Sequence, residues 1–186
     1  VPTATPPHKS PDSLTPIAQR LAMVRLALDG WDDLELSLIE SDPRRTAFTI
    51  DTLRRLRDSG RRHPVFVMGL DQLLEIETWH EYDDLLREFD LIVVDRPGRD
   101  PEQIRRLPDR ITRRVVEAGT DSRPTLDPRL GTGGRIVLVA LEPISISSSE
   151  IRRRVAAGEP LDELVPDRVA GYIQRSGLYR HQEAPR

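Results

Sequence analysis

Ser147-Ser148-Ser149-Glu150-Ile151-Arg152 sets a run of hydroxyls, a carboxylate and a guanidinium between an apolar stretch and a helical one. Ser147 and Glu150 stand at the spacing of a capping box, in which the hydroxyl accepts from the backbone of the first turn. The same free amides and hydroxyls at a helix start also favour an anion, and Arg152 would add a two-pronged contact to a phosphate. Both readings stand on the residues alone. Pro6-Pro7-His8-Lys9 carries Lys9, the single lysine among 28 basic residues, beside a histidine in a stiff segment. That is either a solvated proline-rich loop or a ligand-facing one at a strand end. Gly69-Leu70-Asp71 follows an apolar run, where a glycine admits close approach and an aspartate can accept ribose hydroxyls; a plain turn and cap explains it equally. Trp79 is either core packing or a stacking platform, and Arg96-Pro97-Gly98 is another strand-end turn. His63 and His181 lie in polar stretches, and no His, Asp and Glu set has a recognisable metal spacing.

These groups need elements to position them. Prolines at 2, 6, 7 and 11 exclude a helix at the start of the chain. Ile17, Leu21, Val24 and Leu28 recur at helical spacing, with Thr15 placed to cap, Pro16 in the first turn and Gly30 past the end. Leu34 to Ile39 alternates apolar and polar residues as a one-faced strand does. Thr49 is placed to cap a short helix carrying Leu53 and Leu56 inward and closed by Gly60. Val65 to Met68 reads as a strand ending at Gly69, Leu70 to Phe89 as one helix, and Leu91 to Val94 and Ile136 to Leu141 as parallel strands buried on both faces. Residues 118 to 134, rich in glycine and proline, read as a mobile surface loop, and 181–186 as a disordered tail. Helices follow at Ser149 to Ala157, closed by Gly158, and Pro166 to Arg175, closed by Gly177. Strands alternating with helices predict an α/β fold with a doubly wound, Rossmann-like parallel sheet and C-terminal helices.

Composition narrows the function classes. The 186 residues carry a net charge of −3, which provides no general basic field for nucleic acid. Without cysteine there are no disulfides, thiolate metal sites or cysteine nucleophiles. No apolar run approaches the roughly 20 residues of a membrane span, no secretory signal opens the chain, and a cytoplasmic setting is the expectation. No nucleophile elbow, Walker loop or GxGxxG occurs. The candidate groups gather instead at strand C-termini.

Taken in order, these segments resemble the bacterial nicotinate-nucleotide adenylyltransferases of the nucleotidylyltransferase superfamily, from Val1 to about Arg180. The resemblance rests on Val-Pro-Thr-x-x-Pro-Pro-His-Lys at 1–9, Arg-x-x-Met-x-x-x-Ala at 20–27 and Phe-Thr-Ile-Asp-Thr-Leu at 48–53, where the family has Tyr-Thr. It continues with Met-Gly-Leu-Asp at 68–71, Trp-His-Glu-Tyr at 79–82, Arg-Pro-Gly at 96–98, Ile-Ser-Ser-Ser-Glu-Ile-Arg at 146–152 and Leu-Val-Pro-x-x-Val-x-x-Tyr-Ile-x-x-x-Gly-Leu-Tyr at 164–179. It implies AMP transfer from ATP, with magnesium, to nicotinate mononucleotide, releasing pyrophosphate and forming deamido-NAD. It implies Ser147, Ser148, Ser149 and Arg152 on the ATP phosphates, Ser149 standing where the family has threonine, with Lys9 and His8 reaching the same phosphates. Gly69 and Asp71 would lie beside the adenosine ribose and Arg96 at the rim of that pocket. Trp79 would stack on the pyridine ring, and backbone amides near Thr49, Ile50 and His80 would hold the nicotinate carboxylate. Lys9 and Arg152 are the catalytic groups by this reading, neutralising charge on the departing pyrophosphate.

The family's Gly-x-Phe-Asp-Pro-x-His-x-Gly-His motif does not occur in the chain. The resemblance implies that this motif belongs upstream of Val1, so that residues 1–186 form one nucleotidylyltransferase domain lacking its first strands. This polypeptide alone is then expected to show little or no adenylyl transfer. An adenylyltransferase for nicotinamide mononucleotide or pantetheine phosphate, and a non-catalytic nucleotide-binding module, are the alternatives. Trp79 and Phe48-Thr49 favour the nicotinate reading. The expected partners are ATP and nicotinate mononucleotide, with neither nucleic acid nor membrane, and a homo-oligomer is compatible with the sequence.

Overall fold

A computed structural model of the chain describes residues 1–6, 14–61, 63–95, 102–117, 133–142 and 144–180. His8, Lys9 and Arg96 lie outside the described residues, as do the tail at 181–186 and all but Gly133 and Gly134 of the segment read as a mobile loop. The chain divides into two units, one of residues Phe48–Pro143 and the other of Val1–Ala47 with Ile144–Arg186.

The Phe48–Pro143 unit is built on parallel strands β1 (Val65–Gly69), β2 (Asp90–Asp95), β3 (Val115–Glu117) and β4 (Ile136–Ala140), in the order β1-β2-β4-β3. Gly69 pairs with Val94 and Asp95 with Ala140, so the C-terminal ends of β1, β2 and β4 lie along one edge. In open parallel sheets this edge is where ligands dock. Ile136 to Val139 is buried on both faces, whereas Ala140 and Leu141, the end of the run expected to be buried, are exposed beyond the sheet's cover. Of the apolar run in β2, Leu91 and Val93 are fully buried, and Ile92 and Val94 are half-buried, so this strand is not covered equally on both faces. Asp90 is buried at the start of β2, where its carboxylate accepts from the Arg135 amide at 2.8 Å and the Gly133 amide at 3.3 Å. The Gly134 amide also donates to the Phe89 carbonyl, and Arg114 donates to Gly134 O at 3.1 Å. The end of the predicted mobile loop is therefore tied down at 133–134.

Helix α2 (Thr49–Asp58) packs Ile50 and Leu53 into this core, while Leu56 is only half-buried. Its N-cap is Phe48, with no side-chain cap. Thr49 is the first helical residue and not the cap expected of it. The single helix expected over Leu70 to Phe89 is three pieces: α3 (Leu70–Leu74), a 3₁₀ turn at Ile76–Thr78 and α4 (Tyr82–Glu88). Thr78 Oγ1 donates to Glu75 O at 2.8 Å, competing for a carbonyl that a continuing helix would use, and Glu81 sits in the left-handed region at φ 48°. The break re-aims the chain so that Leu73, Ile76 and Leu85 all reach the same core at essentially zero exposure. Between β2 and β4 lie two short helices, α5 (Glu102–Arg105) and α6 (Asp109–Thr112), and edge strand β3.

Arg54 of α2 binds Glu88 of α4 at 2.7 and 3.2 Å, and Arg57 adds a bond to Glu88 at 2.9 Å. Hydrogen bonds from Arg54, then Arg57, hold the Glu88 carboxyl at about 2 against an ordinary 4.5. Because the folded value is depressed, this contribution is complete above about pH 4.5 and is lost as pH falls toward 2. Glu88→Gln is expected to cost about 1–2 kcal/mol at neutral pH, after allowing for solvent screening, and to flatten the loss of stability across that window. Urea midpoints measured against pH for both proteins check this; parallel curves would contradict it.

In the other unit, α1 (Ile17–Leu28) and α8 (Asp167–Arg175) pack together with α7 (Ser148–Ala157) around Leu161, Val169 and Ile173. Met23, Leu26 and Ala27 of α1 meet this core; the predicted stripe of Ile17, Leu21, Val24 and Leu28 is half-buried. Thr15 does not cap α1: Pro16 is the N-cap, and Thr15 Oγ1 donates to Tyr179 Oη at 3.0 Å. Leu34 to Ile39 is not a strand, because among the described residues nothing pairs with it as a ladder. Leu34 and Leu38 remain exposed. The turn after this segment is held instead by the Ala4 amide on Glu40 O at 2.8 Å and by Thr5 Oγ1 on Pro43 O at 3.1 Å.

Candidate functional site

At the ligand-facing edge of the sheet, β1 ends in Gly69 and α3 begins at once, with Asp71 exposed in its first turn. Gly69 has an ordinary extended backbone, φ −80° and ψ 160°, so the position does not need glycine for conformation. What glycine provides is space, because a Cβ there would meet Asp71 Oδ1 and make that side chain turn aside. The Gly69 amide donates to Gln72 Oε1 at 3.2 Å, closing the first turn. The result is a bare strand end with a carboxylate folded over it, which can accept vicinal hydroxyls from a ligand lying along the edge.

The same unit brings together two further candidate segments that are remote in sequence. The Phe48 and His80 rings lie 4.2 Å apart, tilted by 30°. This holds the Trp79–Glu81 turn beside the N-terminus of α2, where the Thr49 and Ile50 amides precede the first intrahelical donor, Thr52 N on Phe48 O. Ile50 is fully buried, so its part in any site is confined to its backbone. Trp79 is half-buried and meets Phe66 edge-on with centroids 6.0 Å apart, which fixes the indole while leaving part of it open. Core packing and stacking platform are thus compatible at this residue. The arrangement brings an aromatic turn against a helix start with free amides, a combination that suits a flat ring bearing an anion.

Ser147, Ser148, Ser149 and Arg152 belong to the other unit. Ser147 is the N-cap of α7, and its Oγ accepts from the Glu150 amide at 3.1 Å. Glu150 turns toward the helix: hydrogen bonds from Arg153, then Arg154, hold its carboxyl at about 2. Arg153 also binds Glu159 at 2.9 Å through each of two nitrogens. Arg152 differs from both neighbours, being half-buried with no ion pair among the described residues. One guanidinium on α7 is therefore available to an incoming anion, beside the exposed hydroxyls of Ser148 and Ser149.

Some features had no local signal in the sequence. Arg20 donates to Thr15 O at 2.8 Å, Thr3 O at 2.7 Å and Ala4 O at 3.2 Å, gripping the chain on both sides of the segment that carries His8 and Lys9. Arg54 and Glu81 join α2 to the Trp79 turn at 2.7 Å. Only the position of Arg20 within a motif hinted at its role. Among the described residues, no group of three His, Asp or Glu could hold a metal ion, and no helix is long and apolar enough to cross a membrane. A cleft of about 200 Å³ lined by Arg57, His63, Glu88 and Asp90 lies by the N-terminal end of β2, away from the strand ends that carry the candidate residues.

Comparison with known proteins bears on the family and the fold. Residues 1–154 match the Cytidylyltransferase-like family. A "Probable nicotinate-nucleotide adenylyltransferase" of Symbiobacterium thermophilum is 38% identical over 99% of this chain and 81% of its own length. Proteins of the same name from Pelobacter propionicus and Pseudomonas syringae pv. tomato are 38% and 36% identical, each over 96% of this chain and covering 82% and 78% of theirs. Among solved structures, a Plasmodium falciparum nicotinic acid mononucleotide adenylyltransferase complexed with NaAD superposes with a TM-score of 0.62 at 18% identity, over 92% of this chain and 78% of that one. At that identity the likeness bears on the α/β fold, which it matches.

Proposed function

Since the chain belongs to the cytidylyltransferase-like family and, within it, to the nicotinate-nucleotide adenylyltransferases, we propose that its Trp79 turn and α2 N-terminus form the pocket for nicotinate mononucleotide. The activity is adenylyl transfer in NAD biosynthesis. A phosphate oxygen of nicotinate mononucleotide attacks the α-phosphorus of ATP, the bond to the β-phosphate oxygen breaks, and pyrophosphate leaves as deamido-NAD forms. No covalent intermediate is needed. The protein's task is to align two anions in line and to neutralise the charge that grows on the leaving group.

In this reading Ser147, Ser148, Ser149 and Arg152 grip the ATP phosphates, with His8 and Lys9 on the same groups. Asp71 accepts from the adenosine ribose over the bare Gly69, and Arg96 lies at that pocket's rim. Magnesium would enter with ATP as part of the substrate and offset the negative charge of its phosphates. Trp79 stacks on the pyridine ring, and the amides of Thr49, Ile50 and His80 take the carboxylate.

The observation that supports the reading is the Phe48–His80 contact, which brings the turn carrying Trp79 against the start of α2, where the Thr49 and Ile50 amides precede the first intrahelical donor. Converging N–H donors suit a carboxylate, which only accepts; a carboxamide turns its own N–H₂ toward one of them. Losing one hydrogen bond to a charged group costs about 1.5–3 kcal/mol, so the acid is expected to bind roughly tenfold to a hundredfold more tightly than the amide. Titrating a Trp31→Phe chain, in which Trp79 is the sole indole, with nicotinate and nicotinamide mononucleotides tests this by fluorescence. Equal affinities, or no quenching, would contradict it.

Gly69→Ala is a second check. The new methyl is expected to turn the Asp71 carboxylate off the strand end and to weaken binding of an ATP analogue by roughly tenfold, the cost of about one such hydrogen bond. The melting temperature is expected to change little, since the backbone there suits alanine. Unchanged nucleotide affinity would remove Asp71 from the ribose site.

A further inference from the structure

We infer that Glu81 is a positioning residue for selectivity between acid and amide, acting through a closed chain of contacts that begins and ends on α2. The inference rests on the pocket proposed above. Arg54, in the middle of α2, donates to Glu81 Oε2 at 2.7 Å. The other carboxylate oxygen, Glu81 Oε1, lies 3.3 Å from His80 Nε2. The His80 ring in turn rests on Phe48, the residue just before the first turn of α2. One helix thus holds the 79–81 turn at two places, and Glu81 is the link between them.

Two observations give this arrangement a purpose beyond packing. Glu81 has φ 48° and ψ 41°, a left-handed conformation uncommon for a residue with a side chain. A conformation of this kind persists when its surroundings over-determine it, and here the carboxylate is held from both sides. Arg54 is itself fixed independently by Glu88, at 2.7 and 3.2 Å, so the anchor survives whatever happens at Glu81. The piece of backbone fixed in this way is the one whose His80 amide must converge with those of Thr49 and Ile50. A shift of the turn by about 1 Å would leave Trp79 in stacking distance while spoiling hydrogen bonds to the carboxylate, since these weaken steeply with distance and angle. The predicted signature is therefore loss of discrimination before loss of stacking.

The test titrates the Trp31→Phe chain, and the same chain carrying Glu81→Ala, Glu81→Gly or Glu81→Gln, with both mononucleotides. Glycine accepts the left-handed backbone freely, so Glu81→Gly removes the carboxylate without leaving strain and decides the matter should the alanine variant fold poorly. For the alanine and glycine variants the acid-to-amide affinity ratio is expected to fall at least about fivefold, with amide affinity within about twofold of the parent, on the scale of one charged hydrogen bond. Glu81→Gln keeps an acceptor for Arg54 and is expected to retain the ratio within about twofold. An unchanged ratio in the alanine and glycine variants overturns the inference, as does an equal fall for both ligands, which is the mark of a merely structural residue. A fall in Glu81→Gln as large as in Glu81→Ala also overturns it. A parent chain that does not distinguish the two ligands overturns the proposed pocket, and this inference with it; a discriminating parent with indifferent variants overturns the inference alone.

Discussion

Replacing Arg152 with alanine is expected to weaken binding of an ATP analogue by roughly thirtyfold to a hundredfold, about 2–3 kcal/mol for a charge-assisted phosphate contact. The reasoning is comparative. Three successive arginines sit on α7, and two are committed: Arg153 to Glu150 and Glu159, and Arg154 to Glu150. Arg152 is half-buried and has no such partner among the described residues, so its desolvation is offset only when an anion arrives. Arg153→Ala and Arg154→Ala are accordingly expected to stay within about twofold of wild type, since exposed ion pairs contribute about 1 kcal/mol or less and none of it to the ligand. Calorimetric titration of the three variants decides this. Equal losses at all three positions would mean a diffuse electrostatic field in place of one aimed guanidinium, and rising salt would then abolish the differences.

Trp79→Ala is expected to have the second large effect, and on two properties at once. Its edge contact with Phe66 and its half-burial against the core predict a stability loss of about 2 kcal/mol, below the range for a fully buried aromatic. Loss of the stacking plane is expected to cost a further 1–3 kcal/mol, about an order of magnitude or more in affinity for nicotinate mononucleotide. Trp79→Phe separates the two, because a phenyl ring retains an aromatic face while giving up part of the buried area. Urea midpoints and isothermal titration on both variants check the account. A destabilised Trp79→Ala chain with unaltered affinity would leave the residue in the core and out of the site.

The strands that carry the site were legible because burial alone dictates them. Ile136 to Val139 is a run that only a sheet interior accommodates, Leu91 to Val94 buries alternate residues fully, and Gly69 after Val65 to Met68 marks the strand end without any partner being known. The Ser147 cap and the left-handed exits at Gly158 and Gly177 were legible for the same reason, since each is settled within one helical turn. What was not legible depends on contacts remote in sequence. Leu34 to Ile39 has a strand's alternation, but a strand requires a partner, and the pattern cannot say whether one exists. The break at residues 79–81 is the costlier miss, because the proposed nicotinate pocket depends on that break. Apolar spacing through Leu73, Ile76, Leu85 and Phe89 favours a continuous helix, and no residue type announces that Glu81 will adopt a left-handed backbone. The contacts around that turn come from α2, nearly thirty positions away, as the 27-residue separation of Arg54 and Glu81 shows. The roles proposed for Trp79 and His80 therefore come from family resemblance and not from a local rule.

The most direct test of the account is a crystal structure of the chain with deamido-NAD, which reports occupancy without requiring turnover. The expected result is the pyridine ring on Trp79, its carboxylate within hydrogen-bond reach of the Thr49, Ile50 and His80 amides, and the adenosine ribose at Asp71 over Gly69. A dinucleotide bound elsewhere, such as in the cleft beside Arg57 and His63, or seated with its pyridine carboxylate away from the α2 N-terminus, would contradict it.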